Sequence, residues 1–423
     1  MTRRNVPVLL CLITLAAALA IVGGAQSSQA PTGFGTALHN DPTAGQVTSN
    51  GFTDNATLAA DMGVFMEEED IGQGVGPTYN ARACVDCHAT ANVGGTSQVT
   101  ELRVGHTDSS GNFVNPNIRL DNSNVTVPGR SLVNDRAICD AAVEKVPGSE
   151  SINALRATTN TLGDGFVEAI DSNTLNEISE NQPRQTGGQI HGQFIQVPVA
   201  EANGAVRGGR FGWKNQQASL LSFASDAYLN EQGITNRFNP TDVTSVCDTV
   251  ADPEDQPGAD GLADIDHQAR FMRATMAIPR DAAQAATSDA QAGAQIFNSI
   301  GCNICHVTSI TTAPAGTKIN GGAFTVPAAL GGKTIHPYSD FLLHDVGTGD
   351  GIVQNGGQDT ANKLRTSPLW GLRFKSRLMH DLLTFTRNNA ILRHGGEATG
   401  VTNNYRSLSN TQRSQLLAFL QSL

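Results

Sequence analysis

The sequence predicts a mainly α-helical protein made of two similar units with long loops, and two observations support this fold class. The pentapeptide Cys-x-x-Cys-His occurs twice, at residues 84–88 and 302–306. Each copy follows a segment whose apolar residues recur at helical spacing, and a third segment of this kind ends the chain. The 423 residues are only 39 % hydrophobic and include 44 glycines. This composition predicts a thin core with many loops between the helices.

The chain begins with a segment typical of a secretory signal. Two arginines precede an apolar run that extends to about residue 22, and small residues follow it. The run is short for a membrane-spanning helix, and cleavage after Ala25 is favoured over cleavage after Ala30, which Pro31 follows. An uncleaved anchor is the alternative. We expect residues 1–25 to be removed, no stable membrane span to remain, and the mature protein to be periplasmic.

The repeated pentapeptide indicates covalently bound haem. In c-type haem attachment, two cysteine thiols bond to the porphyrin and the adjacent histidine binds the iron. A structural zinc site needs four ligands brought together, and the two cysteine pairs lie far apart in the chain. A thioredoxin-like redox pair would not explain a histidine in both copies. We therefore expect two haem c groups, one held by Cys84, Cys87 and His88 and the other by Cys302, Cys305 and His306.

The remaining cysteines and the net charge limit the disulfides and the partners. Outside the signal and the two motifs only Cys139 and Cys247 remain, and in an oxidising compartment we expect them to form a disulfide. The formal net charge is −11, so nucleic acid is not expected as a partner. A small basic electron carrier would be attracted to an acidic surface, although acidity can also serve only to keep a secreted protein soluble.

The mature chain divides into three segments. We expect a flexible N-terminal segment at residues 26–50, then an N-terminal haem domain at residues 51–280. The stretch between residues 92 and 270 is irregular in pattern and predicts a loop-rich insertion in that domain. A C-terminal haem domain is expected at residues 281–423.

The C-terminal segment resembles cytochrome c. In cytochromes c, a first helix that contains a glycine and an aromatic residue crosses the last helix beside the haem, and Gly293 and Phe297 match those two positions. The final helix is predicted to begin with a capping box, in which Ser409 and Gln412 bond to each other's backbone. The N-terminal segment has a similar but weaker lead-in to its motif. We therefore expect two cytochrome c-like haem domains.

Most of the chain from about residue 50 resembles a known family. The stretches GRFGWKNQQASLL, DAYLNEQGITNRF, PYSDFLLHDVGTG, LRTSPLWGLRFKSRLMHD and AILRHGGEA are similar to those of bacterial di-haem oxidoreductases. This family, often labelled thiol oxidoreductase, is related to the di-haem cytochrome c peroxidases and the methylamine-utilisation di-haem enzymes. The resemblance implies that the C-terminal haem receives electrons from a small cytochrome or cupredoxin, and that the N-terminal haem meets the oxidant.

The resemblance also implies roles around the C-terminal haem. His88 and His306 correspond to the proximal iron ligands, and His394 lies where relatives hold their second axial ligand, which in them is Met or Tyr. A histidine in a glycine-rich surface loop is the alternative interpretation of His394. The family's calcium ion binds carbonyl groups near a Thr-x-Pro sequence, which residues 366–368 supply.

Two residues are candidates for chemistry at the N-terminal haem. The resemblance of the LNEQG segment assigns Glu231 as the carboxylate that moves a proton between the peroxide oxygens. An exposed loop carboxylate is the alternative. Trp213 resembles the residue that lies between the two haems and helps electrons pass, and a core Trp without a redox role is the alternative. The Gln that peroxidase relatives carry shortly before the Glu has no match in this sequence.

The leading functional hypothesis is a periplasmic di-haem oxidoreductase of the cytochrome c peroxidase type that reduces hydrogen peroxide. One alternative is an electron-transfer cytochrome without a substrate, in which both irons have six ligands. The other alternative is an enzyme whose N-terminal haem oxidises residues of a partner protein.

Overall fold

The structure is a computed structural model that describes residues 27–37, 47–121 and 125–423. The predicted signal at residues 1–25 lies outside these ranges. None of the helices in the described ranges is long and apolar enough to cross a membrane. Part of the predicted flexible segment is described: Ser28–Gln29 pairs in parallel with Lys333–Ile335, and the Asn50 side chain donates to backbone carbonyls near residue 274. The flexibility of this segment stays a prediction.

Helices make up 33 % of the protein and strands 16 %, so the fold is only partly described by the expected mainly α class. Side chains cap the longer helices: the Asp54 carboxylate accepts from the Thr57 amide, and the predicted capping box between Ser409 and Gln412 is present. The helices are α1 (Asn55–Met66), α2 (Cys84–Cys87), α3 (Asp164–Glu168), α4 (Ser172–Thr186), α5 (Leu220–Ala227), α6 (Asp264–Ala274), α7 (Ala282–Ala285), α8 (Ser288–Ser299), α9 (Arg387–Leu392), α10 (Thr399–Ser407) and α11 (Asn410–Gln421).

The strands are short and most pair antiparallel. They are β1 (Ser28–Gln29), β2 (Thr78–Tyr79), β3 (Thr100–Thr107), β4 (Phe113–Val114), β5 (Asn117–Leu120), β6 (Thr126–Pro128), β7 (Leu132–Val133), β8 (Arg136–Ala137), β9 (Glu144–Lys145), β10 (Ile152–Ala157), β11 (Gln196–Pro198), β12 (Val206–Gly208), β13 (Ile310–Thr311), β14 (Lys318–Ile319), β15 (Phe324–Thr325), β16 (Lys333–Ile335), β17 (Leu343–His344) and β18 (Leu364–Arg365).

The described residues of the predicted loop-rich insertion include the two-stranded sheet β11-β12 and two larger sheets. One has the order β10-β3-β4 with β7 also on β3, and the other has the order β6-β5-β9. Buried Val104, Ile118, Leu120 and Val127 form a small core here. The sequence did not predict these strands, because strands of two to eight residues obtain their stability from cross-strand pairing, which leaves only a weak pattern in the sequence.

The larger hydrophobic core surrounds α1 and α6. Phe65 of α1 packs on Phe271 of α6 with ring centroids 4.6 Å apart, and the Asp61 carboxylate accepts two hydrogen bonds from Arg270, each 2.7 Å long. Residues beyond position 280, among them Leu330 and Phe341, belong to the same core. Elements on both sides of the predicted domain junction therefore pack together, and the junction itself stays a prediction.

Glu168 joins several elements of this core. Its side chain is fully buried and accepts from Arg273 of α6 at 2.6 and 2.9 Å. It also accepts from the Leu220 amide at the start of α5, at 2.9 Å, and from the Asn320 side chain at 3.0 Å. A buried carboxylate is stable only when its charge is compensated, and here one cation and two neutral donors supply that compensation.

A second core forms where α8 crosses α11. A Cβ atom at Gly293 would lie 2.0 Å from the Gln415 carbonyl oxygen, so only glycine permits this approach of the two backbones. Phe297 of α8 packs against Phe419 of α11, with ring centroids 5.2 Å apart and an edge-to-face arrangement. The predicted crossing of the first and last helices of the C-terminal segment is confirmed.

The predicted disulfide is also present. Cys139 and Cys247 are bonded, with Cα atoms 6.6 Å apart and a separation of 108 positions in the chain. The bond ties the segment after β8 to the loop that precedes α6. Both sulfurs are therefore removed from the set that can bind haem.

Candidate haem sites

The first motif follows α1 and presents its histidine with one ring nitrogen available. The two cysteines lie on α2, and His88 ends that helix. His88 Nδ1 lies 3.1 Å from the Gly95 carbonyl oxygen, which can only accept, so Nδ1 carries the proton and Nε2 has a free lone pair. Burial lowers the pKa of His88 to about 4, which keeps the ring in the neutral form that binds metals.

The second motif repeats this arrangement. His306 Nδ1 donates to the Tyr338 carbonyl oxygen at 2.9 Å, and burial lowers the pKa of His306 to about 4. In each unit a phenylalanine of the preceding helix lies near the motif histidine: the Phe65 and His88 ring centroids are 5.9 Å apart, and those of Phe297 and His306 are 6.3 Å apart. The chain therefore builds the same ligand geometry twice.

Each motif opens onto its own cavity. The cavity beside Cys84, Cys87 and His88 has a volume of about 240 Å³ and is called the first cavity here. The cavity beside Cys302, Cys305 and His306 has a volume of about 270 Å³ and is called the second cavity.

Trp213 is one of the residues that line both cavities. Ala157 and Thr158, at the end of β10, line both as well. The Trp213 Nε1–H group donates to the Ala157 carbonyl oxygen at 2.7 Å, which fixes the indole against that strand. The sequence-predicted Trp213 therefore forms part of a wall shared by the two cavities.

His394 lines the second cavity together with His306. Its Nδ1 donates to the Ala390 carbonyl oxygen at 2.7 Å, so Nε2 is again the nitrogen with a free lone pair. Burial lowers the pKa of His394, which favours the neutral ring. Two neutral imidazoles on one cavity match the donor set of a six-coordinate haem.

Glu231 lines the first cavity, beside the two cysteines and His88. It lies in a short π-helix, Tyr228–Gln232, that continues α5, and its Oε2 accepts from the Asn80 side chain at 2.8 Å. Burial, followed by the nearby charge of Glu101, raises the pKa of the Glu231 carboxyl above its ordinary value. The structure therefore places this side chain in the cavity and not on an exposed loop.

Glu101 and Arg103 were not predicted from the sequence as site residues. Both belong to β3 and line the first cavity. Arg103 donates to both Glu101 oxygens, at 2.7 and 2.9 Å. Burial alone would raise the pKa of Glu101, but the Arg103 guanidinium holds it below its ordinary value. Two neighbouring carboxyls with opposite pKa shifts form a proton-donating and a proton-accepting partner. In the sequence, the alternation of polar and apolar residues in Thr-Glu-Leu-Arg-Val is the one signal that could have indicated that Glu101 and Arg103 lie on the same face of a strand.

A match to one protein-family model shows which family the chain belongs to. The model described as "Di-haem oxidoreductase, putative peroxidase" matches residues 145–423. The chain belongs to the di-haem oxidoreductase family. The matched region includes the second motif and Trp213, Glu231 and His394, and it begins after the first motif. Among curated proteins there is no match to this di-haem oxidoreductase.

Solved structures give distant matches to this di-haem oxidoreductase. Kuenenia stuttgartiensis hydrazine synthase, pressurised with xenon, is 12 % identical and covers 99 % of this chain and 100 % of its own, with a TM-score of 0.41. A MauG-like protein associated with microbial copper homeostasis is 17 % identical and covers 54 % of this chain and 78 % of its own, with a TM-score of 0.31.

The second cavity of the di-haem oxidoreductase offers two cationic side chains and one imidazole to a group that has its own carboxylates, as haem does. Lys375 lines it, and burial lowers the pKa of this lysine to about 8. In the part of the chain that the structure describes, Arg387 Nε and His380 Nδ1 also line this cavity, are buried and have no hydrogen-bond partner. These unpaired donors fit the propionates of a haem.

The motif thiols do not resemble a redox pair. Burial raises the pKa of Cys84, Cys87 and Cys302 to about 12. Thiol–disulfide exchange needs a thiolate, and redox-active pairs have lowered pKa values. The haem interpretation of the two motifs therefore fits this di-haem oxidoreductase better than the thioredoxin-like alternative.

The Thr-x-Pro segment at residues 366–368 lines the second cavity of the di-haem oxidoreductase. The Thr366 carbonyl oxygen accepts from the Ser339 hydroxyl at 2.5 Å. One lone pair of this carbonyl is therefore in use, and calcium at this segment stays a prediction.

Proposed function

We propose that this protein is a periplasmic di-haem c oxidoreductase that reduces hydrogen peroxide with electrons from a small cytochrome or cupredoxin. Electrons would enter at the haem on Cys302, Cys305 and His306 and reach the haem on Cys84, Cys87 and His88. A haem in the first cavity would supply an iron that binds the oxidant and transfers electrons to it.

The observation that supports peroxide reduction is the position of Glu231 in the first cavity. Cleavage of a peroxide O–O bond requires a proton to move from one oxygen to the other, and a carboxyl with a raised pKa can accept that proton and return it near neutral pH. Asn80 orients the Glu231 carboxyl by donating to its Oε2, and Glu231 also shares a hydrogen bond with the Glu101 carboxyl. Arg103 keeps the neighbouring Glu101 ionised, so any proton shared by the two carboxyls resides mainly on Glu231.

The shared wall supports transfer between the two cavities. The Trp213 indole lines both cavities. It would therefore shorten the through-space distance that electrons cross between haems bound in the two cavities. The hydrogen bond to Ala157 holds the ring in one orientation. The bis-histidine donor set of the second cavity supports a role in electron entry, because a six-coordinate iron has no open position for an oxidant.

The test of this proposal is Glu231→Gln, assayed on the haem-loaded, half-reduced protein. Gln keeps the size and hydrogen bonding of the side chain but cannot exchange a proton, so peroxide turnover should fall by about 10²–10⁴-fold. Haem content and the reduction of the second haem should stay unchanged.

Glu69→Gln is the matched control. Burial raises the pKa of Glu69 to about 7, as for a functional carboxyl, but its Oε1 accepts from the Tyr228 hydroxyl at 3.1 Å and it does not line the first cavity. The control should keep wild-type turnover. Equal turnover in Glu231→Gln and wild type would show that the proton moves through another group.

A second candidate function is an electron-transfer cytochrome without a substrate, and Met272 is the residue that favours it. Met272 of α6 lines the first cavity, and its thioether is a common sixth ligand of haem iron. A high-spin spectrum in the half-reduced wild type would favour the peroxidase. A low-spin spectrum that becomes high-spin in Met272→Ala would favour the electron carrier.

Covalent attachment and export are part of the same proposal. The mature protein purified from the periplasm should begin at Gln26. Its mass should include two haem groups. Replacement of Cys84 and Cys87 by Ala should remove one haem increment from that mass. A mature protein without covalent haem would contradict the c-type assignment.

A further inference from the structure

Four carboxylates lie together in the loop between the π-helix and α6, away from both haem motifs. Oxygen atoms of Asp242, Asp248 and Glu254 all lie within 4.8 Å of one another. Asp252 is the fourth, and its Oδ1 accepts from the Thr235 hydroxyl at 2.7 Å. We call Asp242, Asp248, Asp252 and Glu254 the acidic loop.

The environment of Asp242 indicates that the acidic loop binds a cation. Both of its carboxylate oxygens are buried, and in the described ranges of the chain neither has a hydrogen-bond partner. Burial and, after it, the charges of Glu254, Asp252 and Asp248 together raise the pKa of Asp242 to about 8. A buried carboxyl group without a hydrogen-bond partner is unfavourable in either protonation state. Such a group is retained where a cation compensates it.

We propose that Asp242, Asp248 and Glu254 bind a calcium ion. The three donors are all carboxylate oxygens, which suit a hard cation and not zinc or copper. Calcium forms bonds of about 2.3–2.6 Å, so two of its ligands can lie up to about 5 Å apart, and the observed separations fall within that limit. Solvent at the loop surface would complete the coordination shell of six to eight oxygens.

The site differs from the calcium expected at the Thr-x-Pro segment. That segment lines the second cavity and would bind calcium through carbonyl groups, whereas the acidic loop uses carboxylate side chains between residues 242 and 254. The inference therefore depends neither on the Thr-x-Pro segment nor on peroxide reduction.

Bound calcium would stabilise the segment that follows Glu231. The Thr235 amide donates to Glu254 Oε2 at 2.7 Å, and Thr235 lies four residues after Glu231. On the other side, a Cβ atom at Gly74 would lie 2.6 Å from Glu254 Cβ, so the Glu254 side chain also packs on the backbone before β2. The ion would thus connect the acidic loop to the end of the π-helix.

The test uses the full-length haem-loaded protein after treatment with a chelator. Isothermal titration with CaCl₂ should show one more bound ion in wild type than in Asp242→Asn or Asp248→Asn, or an affinity at that site reduced by at least about 10–100-fold. Asp359→Asn is the control, because Asp359 is an exposed carboxylate that pairs with Lys363. It should bind calcium as wild type does.

Thermal unfolding gives a second measurement, in which chelator and calcium should have opposite effects on the stability of wild type relative to the variant. In chelator, Asp242→Asn should melt at a higher temperature than wild type, because the substitution removes repulsion between buried carboxylates. With calcium, wild type should gain stability and the variant should not. Equal calcium stoichiometry and equal calcium-dependent shifts in wild type and both acidic-loop variants would overturn the proposal, as would the absence of any calcium binding by wild type.

Discussion

Replacement of Gly293 by alanine tests the helix crossing that supports the second cavity. The new methyl group would lie 2.0 Å from the Gln415 carbonyl oxygen and 2.8 Å from Phe419 Cβ. Ordinary contact requires the two helices to separate by roughly 1.4 Å, and forced overpacking of this kind typically costs 1–3 kcal/mol. Alanine is a better helix former than glycine by about 0.8–1 kcal/mol, which offsets part of that cost. We expect a net loss of up to about 2 kcal/mol of unfolding free energy.

Gly63→Ala is the matched control, because Gly63 lies in the interior of α1 and a Cβ atom there would meet nothing within 4 Å. This variant should gain about 0.5–1 kcal/mol from helix propensity alone. Chemical denaturation of the haem-loaded proteins, followed by far-UV circular dichroism, measures both changes. A Gly293→Ala protein that is as stable as Gly63→Ala would refute the close crossing of α8 and α11.

Two further predictions concern the axial ligand and a buried ion pair. His394→Met should raise the reduction potential of the C-terminal haem, because a thioether favours the ferrous state; an unchanged potential and low-spin spectrum would remove His394 from the site. Burial alone would raise the pKa of Glu168, but Arg273 and the Leu220 amide lower it to about 2, so this group stabilises the fold above about pH 4.5 and loses that contribution as the pH falls towards 2. Glu168→Gln should therefore lose about 3 kcal/mol of unfolding free energy at pH 7 and much less at pH 3, and a difference that does not change with pH would contradict the linkage.

The sequence was most informative where chemistry requires a fixed local spacing. The two pentapeptides, the approach of Gly293 to the last helix and the pairing of Cys139 with Cys247 could be predicted because each depends on residue type or on a helical period. The structure bears out the helix crossing and the disulfide, and the family match agrees with a di-haem protein. The positions of Trp213 and Glu231 beside the cavities came from resemblance and not from any local pattern.

The strands, and the positions of Glu101 and Arg103 in the first cavity, could not be predicted in the same way. β3 and β10 pair across about 50 residues, and the pairing sets Arg156 opposite Glu101. Nothing local to either strand records its partner, since register depends on contacts between distant segments. The acidic loop was not predicted from the sequence, because only the structure shows that both Asp242 carboxylate oxygens are buried within it.

The shared wall has a consequence for how the two halves of the chain can be separated. Residues 90, 96–98, 157 and 158 belong to the first half, yet they form part of the lining of the second cavity. A fragment that began at residue 281 would retain His306 and His394 but would expose to water a face that the intact chain keeps covered. We therefore expect that residues 281–423 cannot be moved into another protein as a free-standing module.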